Sequence, residues 1–251
     1  MDPLHWLAGQ TATDRLYWSD RAGAFEMAGI GVADQINANP GDVPGTDLSR
    51  LRKKLTPECE PARYYGGYRF HDGQGGPDNE WNGFGPGRFV LPRFELYREN
   101  GQSRFVCNLA PHTDRERRAE LIRALKNVTF TIDDSSPISP SQIGRIDLPD
   151  RTAWQAGVEA ILKAVNDDQL SKVVLARRTT LEFDVAPDPL RLLRHLKARS
   201  TGCFHFCFQF SGSTTFVGAS PERLYRRVGR HIESEAVAGT RPRGATSDED
   251  T

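Results

Sequence analysis

Three short segments in the last third of the chain carry side chains suited to acid–base chemistry. Lys172 stands at the head of the run Lys-Val-Val-Leu-Ala-Arg, and Glu222 stands directly after a proline. Residues 238–240 read Ala-Gly-Thr, a glycine turn of the kind that lets backbone N–H groups approach an anion. An amine, a carboxylate and an anion-binding turn are the groups that proton transfer on a small carboxylate substrate needs.

Lys172 has two interpretations. In the first, it marks the solvated edge of the strand that it opens, which is a common place for a lysine. In the second, it lies in a partly desolvated pocket, where its pKa is lowered toward neutrality and the amine accepts a proton from water. The spacing alone leaves both open.

Glu222 and the glycine turn also have alternatives. Pro221 cannot donate a ladder hydrogen bond, so we expect Glu222 where a strand begins, projecting out of the sheet. Its carboxylate acts there as an acid, or it pairs with Arg223 or Arg226 at the surface. Gly239 makes a tight turn or permits close approach of an anion, and the arginines that follow it favour the anion.

Cys203, His205 and Cys207 alternate with phenylalanines at strand spacing, which places three metal-binding side chains on one face. Residues at i, i+2 and i+4 of a flat strand diverge and cannot close a tetrahedral zinc site by themselves. We therefore expect these three residues to have a structural role and the phenylalanine face to be core.

The composition excludes several classes of protein. Across 251 residues, 33 Lys and Arg balance 33 Asp and Glu, so no net charge attracts the chain to nucleic acid or to a membrane surface. No apolar run approaches the ~20 residues of a membrane span. Four scattered cysteines are too few for a disulfide framework, so a reduced, cytoplasmic protein is expected.

Local patterns predict the elements that position these residues. The sequence predicts hairpins around 20–23 and 99–101, helices over 47–55 and 113–126, a helix capped by Asp150, and a helix beginning at 187–189 with Leu192, Leu193 and Leu196 inward. It predicts strands from Lys172 and over 203–210, 214–219, 223–229 and 231–237. This order indicates an α+β fold of layered antiparallel sheets with packed helices.

In their order and spacing, the three segments resemble the chorismate-utilising enzyme family. The resemblance rests on Ser-Lys-Val-Val-Leu-Ala-Arg (171–177), Gly-Ala-Ser-Pro-Glu-Arg-Leu (218–224) and Glu-Ala-Val-Ala-Gly-Thr (235–240). The N-terminal part is similar to the isochorismate synthases of the menaquinone pathway through Tyr65-Gly-Gly67 and Trp81-Asn-Gly-Phe84. The resemblance implies an N-terminal α+β region over 1–149 and the first part of the chorismate-binding catalytic domain over 150–251.

The resemblance also implies roles for individual residues. Lys172 is similar to the general base that activates the water attacking C2 of chorismate, and Glu222 to the general acid that protonates the departing C4 hydroxyl. Ala238, Gly239 and Thr240 resemble a turn that holds the substrate. Ala238 stands where aminodeoxychorismate synthases carry a nucleophilic lysine, so water is the expected nucleophile.

The resemblance implies, finally, a Mg²⁺ ion bound by two glutamates that would fall beyond Thr251. We therefore expect the C-terminal part of the fold to be missing and these residues alone to be inactive. The expected function is Mg²⁺-dependent synthesis of isochorismate from chorismate, for menaquinone biosynthesis. Anthranilate synthesis, salicylate synthesis and a non-catalytic binding module of the same fold stay open, as does the oligomeric state.

Overall fold

The structure is a computed structural model that describes residues 1–39, 46–55, 62–69, 81–130, 139–210, 214–236 and 244–246. The described helices are α1 Pro3–Ala8, α2 Thr46–Lys54, α3 Pro111–Asp114, α4 Arg118–Lys126, α5 Arg151–Asn166 and α6 Pro189–Arg199. The described strands are β1 Arg15–Ser19, β2 Phe25–Asn37, β3 Tyr65–Tyr68, β4 Gly87–Glu99, β5 Gln102–Cys107, β6 Gln142–Leu148, β7 Arg178–Phe183, β8 Phe204–Gln209, β9 Thr215–Ser220, β10 Arg226–Val228 and β11 His231–Glu233. The architecture is mixed α+β, as the sequence predicts.

Seven strands form one antiparallel sheet. The hydrogen-bonded order is β3-β4-β2-β1-β8-β9, and β5 also pairs with β4. Strand β1 joins distant parts of the chain, because Leu16 lies opposite Gly29 of β2 on one side and Phe208 of β8 on the other. The pairs β6–β7 and β10–β11 form two smaller antiparallel sheets.

The two hairpins form where the sequence predicts them. Between β1 and β2, the Asp20 carboxylate accepts a hydrogen bond from the N–H of Ala24 at 2.9 Å, and Gly23 has a φ of 68°. Between β4 and β5, Asn100 and Gly101 have φ of 50° and 81°, the positive values that an Asn-Gly hairpin turn requires. These local turns set the register of the long strands.

Helices α1 and α6 supply much of the core that packs on the sheet. Trp6 of α1, Tyr17 of β1 and Leu193 of α6 are at most 1% exposed and belong to one apolar cluster. The prediction that Leu192 faces inward is wrong, since it is 50% exposed while Leu190 is 2% exposed. Positions three apart share a helix face, so burial of Leu190 and Leu193 turns Leu192 toward solvent.

Strand β8 buries the face opposite to the one predicted. His205 is 5% exposed and Cys207 is 0% exposed, so both pack structurally, as expected. Phe204, Phe206 and Phe208 are only half-buried. The prediction that the phenylalanine face is core is therefore wrong within the strand and correct just after it, at Phe210, which is 7% exposed. The leucines of α6 pack against Cys207, and it is this helix that covers the face carrying the cysteine and histidine.

The predicted helix over 113–126 is interrupted. Helix α3 ends at Asp114, whose carboxylate is 6% exposed and binds Arg93 through contacts of 2.5 and 2.9 Å. The same carboxylate accepts the N–H of Ala110 at 2.6 Å. These contacts hold the first turn against Arg93 of β4, and α4 begins separately at Arg118.

By its internal contacts the chain divides into two compact units, residues 1–133 with 189–251, and residues 134–188. In the second unit, Asp150 caps α5 as predicted, because its carboxylate accepts the N–H of Ala153 at 2.8 Å. The division at 149 and 150, which rests on the family resemblance, stays a prediction. In the described ranges, no helix combines the length and apolarity needed to cross a membrane.

The strand predicted from Lys172 begins later. Residues 172–177 are neither helix nor strand, and β7 starts at Arg178. Its partner β6 ends at Leu148, which lies opposite Arg178. The next residue, Pro149, has no N–H with which to continue the ladder, so the residues before Arg178 have no continuation of β6 to pair with.

Candidate functional site

The register of the large sheet brings two distant segments to the same end. Ser19, the last residue of β1, pairs with His205 of β8, and His205 pairs with Ala219 of β9. The turn after β1 and the Ser-Pro-Glu segment after β9 therefore lie near each other. Within this register a Cβ on Gly218 would approach a ring atom of Phe206 to 2.4 Å, so the aromatic ring occupies the space that a side chain would need.

Glu222 lies two residues after the end of β9 and four before β10, so the prediction that it stands where a strand begins is wrong; its side chain is exposed. Its backbone N–H donates to Oγ of Ser220 at 3.2 Å. The arginines that the sequence offers as surface partners of Glu222 contact another carboxylate instead, since Arg223 and Arg226 lie 3.4 and 3.7 Å from Glu233. The Glu222 carboxylate is therefore accessible on a segment whose backbone is held.

Arg21, in the β1–β2 turn, connects this segment with the residues that follow β11. Its Nη1 donates to the carbonyl oxygen of Pro221 at 2.8 Å and to Oε2 of Glu235 at 2.7 Å. Its Nη2 donates to Oε1 of Glu235 at 2.5 Å. These hydrogen bonds hold the pKa of Glu235 below its usual range. The guanidinium also lies over Phe204, 5.3 Å from the ring centroid.

Lys172 lies in the second compact unit, in the segment between α5 and β7. Its side chain is exposed, and the apolar run behind it is also open, with Val174 81% exposed. Glu222 belongs to the other compact unit. The pairing of Lys172 and Glu222 as base and acid stays a prediction.

The predicted anion-binding turn, Ala238, Gly239 and Thr240, lies outside the described residues. In the part of the chain that the structure describes, no group of three or more His, Cys, Asp or Glu side chains is placed to hold a metal ion. The two glutamates that the family resemblance implies as Mg²⁺ ligands would lie beyond Thr251, so the Mg²⁺ site stays a prediction.

Arg21 and Glu235 are the residues at this end of the sheet that sequence reasoning missed. Arg21 is 200 residues from Pro221 and 214 from Glu235, so no local pattern connects them. The sequence feature that could have identified Glu235 is its position at the start of the Glu-Ala-Val-Ala-Gly-Thr segment.

Comparison with known proteins extends over the whole chain. The profile of a protein family described as "Chorismate binding enzyme" matches residues 1–251. Isochorismate synthase MenF of Escherichia coli (strain K12) is 27% identical over 241 residues, which cover 95% of this chain and 51% of that protein. The chloroplastic isochorismate synthase of Catharanthus roseus is 29% identical over 235 residues, covering 90% of this chain and 40% of that protein.

The fold matches that of a solved structure as well. MenF, the menaquinone-specific isochorismate synthase from Escherichia coli, superposes with a TM-score of 0.80 at 24% identity, over 100% of this chain and 54% of that one. This match confirms the predicted fold class. The chain spans about half the length of the relatives that it matches, or somewhat less.

Proposed function

The chain belongs to the chorismate-binding enzyme family, and we propose that it forms part of an isochorismate synthase. The proposed reaction adds water at C2 of chorismate and expels the C4 hydroxyl, so substrate and product are isomers. One observation carries the proposal. Glu222 is an exposed carboxylate on a held segment at the end of the sheet, in a chain similar over 95% of its length to an isochorismate synthase.

The reaction needs one proton transfer at C2 and one at C4, because water is a poor nucleophile and hydroxide is a poor leaving group. In the proposal, Lys172 takes a proton from the attacking water as the bond from oxygen to C2 forms. The two ring double bonds each shift by one position, and Glu222 gives a proton to the C4 oxygen, which leaves as water. Each such proton transfer contributes about 10²–10⁴-fold in rate.

The remaining assignments concern the surroundings of the substrate. Ala238, Gly239 and Thr240 hold chorismate through their backbone, and Ala238 provides no amine, so water is the nucleophile. The resemblance further supports a dependence on Mg²⁺, a cytoplasmic location and a product used for menaquinone. Because the chain spans about half of its relatives, we propose that these residues assayed by themselves do not convert chorismate.

Substitution of the two proposed catalytic residues tests the assignment. In the complete gene product, Lys172→Ala and Glu222→Gln each reduce kcat by about 10²-fold or more. Both side chains are exposed, so the melting temperature stays close to that of the wild type. Lys163→Ala and Glu159→Gln, at exposed positions on α5, are the matched controls and keep full activity. Near-normal turnover by either test variant would remove that residue from the mechanism.

A further inference from the structure

Arg21 makes three hydrogen bonds, one to the residue that precedes the proposed acid and two to Glu235. Two run from its Nη1, to the Pro221 carbonyl at 2.8 Å and to one Glu235 oxygen at 2.7 Å. The third runs from Nη2 to the other Glu235 oxygen at 2.5 Å. The planar guanidinium of an arginine can make this bidentate contact with a carboxylate and still donate to a third acceptor.

The turn that carries Arg21 is itself well fixed. The Asp20 carboxylate accepts the N–H of Ala24 at 2.9 Å, and the N–H of Asp20 donates to the carbonyl of Phe25 at 3.0 Å. The Phe204 ring lies under the guanidinium, with 5.3 Å between the Arg21 Cζ and the ring centroid. The arginine therefore starts from a defined backbone and rests on an aromatic surface, which limits the rotamers it can adopt.

The contacts fix one peptide unit in particular, the unit between Pro221 and Glu222. Its carbonyl oxygen accepts from Arg21, and its N–H donates to the Ser220 hydroxyl at 3.2 Å. Because a peptide unit is planar, holding both its oxygen and its nitrogen determines the orientation of the whole plane. The position of the Glu222 Cα follows from that plane, and the Glu222 side chain leaves from a fixed point.

The same arginine reaches toward the second predicted part of the site. Glu235 lies three positions before Ala238 in the sequence. Arg223 also approaches Glu235, but at 3.4 Å and through a single nitrogen. Arg21 therefore makes the shorter, bidentate contact with Glu235, the residue that begins the segment containing Ala238, Gly239 and Thr240.

We propose that Arg21 is a positioning residue, which sets the orientation of Glu222 and ties the acid-bearing segment to the segment that leads to the substrate-binding turn. This inference rests on the proposed function. Arg21 does not touch the reacting atoms; it acts through the Pro221 carbonyl and the Glu235 carboxylate. A misplaced acid lowers the rate of proton transfer much more than it lowers the affinity for chorismate, so the effect appears in kcat.

The test compares Arg21→Ala and Arg21→Lys in the complete gene product. Displacement of a catalytic group by about 1 Å costs up to about 10²-fold in rate, so we expect kcat to fall by about 30-fold in Arg21→Ala, with KM within about threefold. Arg21→Lys keeps the positive charge but cannot make the bidentate hydrogen bonds of a guanidinium, so it recovers only part of the lost kcat. The Arg21 and Glu235 side chains are 29% and 27% exposed, so loss of this bidentate pair lowers stability modestly and lowers the melting temperature by about 3 °C.

Arg117→Ala is the control, because Arg117 also pairs with a carboxylate, at 2.9 Å, but on the exposed surface of the molecule. It retains the wild-type kcat. A wild-type kcat in Arg21→Ala would overturn the inference. So would a loss of activity that follows the loss of folded protein, with kcat per folded molecule unchanged, because that is the result of a purely structural contact.

Hydrogen–deuterium exchange separates this inference from the proposed function. We expect Arg21→Ala to raise the exchange rate of amides in peptides covering 220–236 by about tenfold, and Arg117→Ala to leave them unchanged. If the wild type makes no isochorismate, the proposed function fails, and exchange still decides whether Arg21 holds the Glu222 segment. Unchanged exchange in Arg21→Ala would overturn the inference whatever the activity.

Discussion

Replacement of Glu95 by glutamine removes a pH-dependent loss of stability, because this carboxyl group is buried in the large sheet. Glu95 is 3% exposed, and burial raises its pKa from 4.5 to about 7. A hydrogen bond from the Tyr65 hydroxyl at 2.7 Å, another from Asn108 and the positive charge of Arg63 lower the pKa without cancelling the effect of burial.

The direction of the effect follows from the two ionisation states. The carboxyl ionises near pH 4.5 in the unfolded chain and near pH 7 in the folded protein. Between these values the folded protein keeps a proton that the unfolded chain has released, so the free energy of unfolding falls as the pH rises. At about 1.4 kcal/mol for each pKa unit, the loss is about 3 kcal/mol in total, of which about 2 to 3 kcal/mol lies between pH 5 and pH 8.

Urea denaturation of the complete gene product at pH 5 and pH 8 measures this contribution. We expect the free energy of unfolding of Glu95→Gln to gain about 2 to 3 kcal/mol relative to wild type on going from pH 5 to pH 8. Glutamine still accepts the hydrogen bond from Tyr65, so the variant stays folded. Glu120→Gln, at a side chain 54% exposed, is the control and shows no such change. A difference between Glu95→Gln and wild type that is the same at both pH values would refute the reasoning.

Two further substitutions test the packing of the first compact unit. Asp114→Asn leaves the buried guanidinium of Arg93 facing a neutral amide and costs about 3 kcal/mol of unfolding free energy in urea titrations. Asp147→Asn is the control and changes the urea midpoint little, because its arginine partner is 51% exposed. Equal urea midpoints for the two variants would contradict this prediction. Gly66→Ala places a Cβ 1.8 Å from a backbone carbonyl oxygen, whereas a Cβ on Gly67 meets nothing within 4 Å. We therefore expect a cost of about 2 kcal/mol or more for Gly66→Ala and little change for Gly67→Ala in thermal melts, and similar melting temperatures would show that β3 does not pack against β4 in this way.

The parts of the fold that the sequence predicts correctly are those that local chemistry determines. The Asn-Gly pair at 100–101 makes its hairpin because both residues tolerate positive φ. Asp150 starts α5 because an aspartate at that position satisfies a free N–H. Helix α1 and strand β6 were missed, since α1 is 6 residues long and the residues of β6 pair with residues 30 to 41 positions away.

The errors in the prediction come from packing that no local sequence pattern specifies. A strand with one aromatic face and one face of cysteine and histidine does not reveal which face a helix will cover, and β8 turned its Cys207 face toward α6. The position of Glu222 in the sequence identified it as a candidate acid, but not the arginine 200 residues away that holds its segment. Motifs thus locate the chemistry, whereas the sheet register decides which residues support it.

The most direct test of the central claim is the product formed from chorismate in water enriched in ¹⁸O. The complete gene product is incubated with chorismate and Mg²⁺. The products are separated by chromatography, and their masses are measured by mass spectrometry. The proposed reaction yields isochorismate carrying one ¹⁸O atom at C2, since the attacking water supplies that oxygen and the original C4 oxygen leaves. Unchanged chorismate, unlabelled isochorismate, or anthranilate or salicylate as the first product would contradict the proposal.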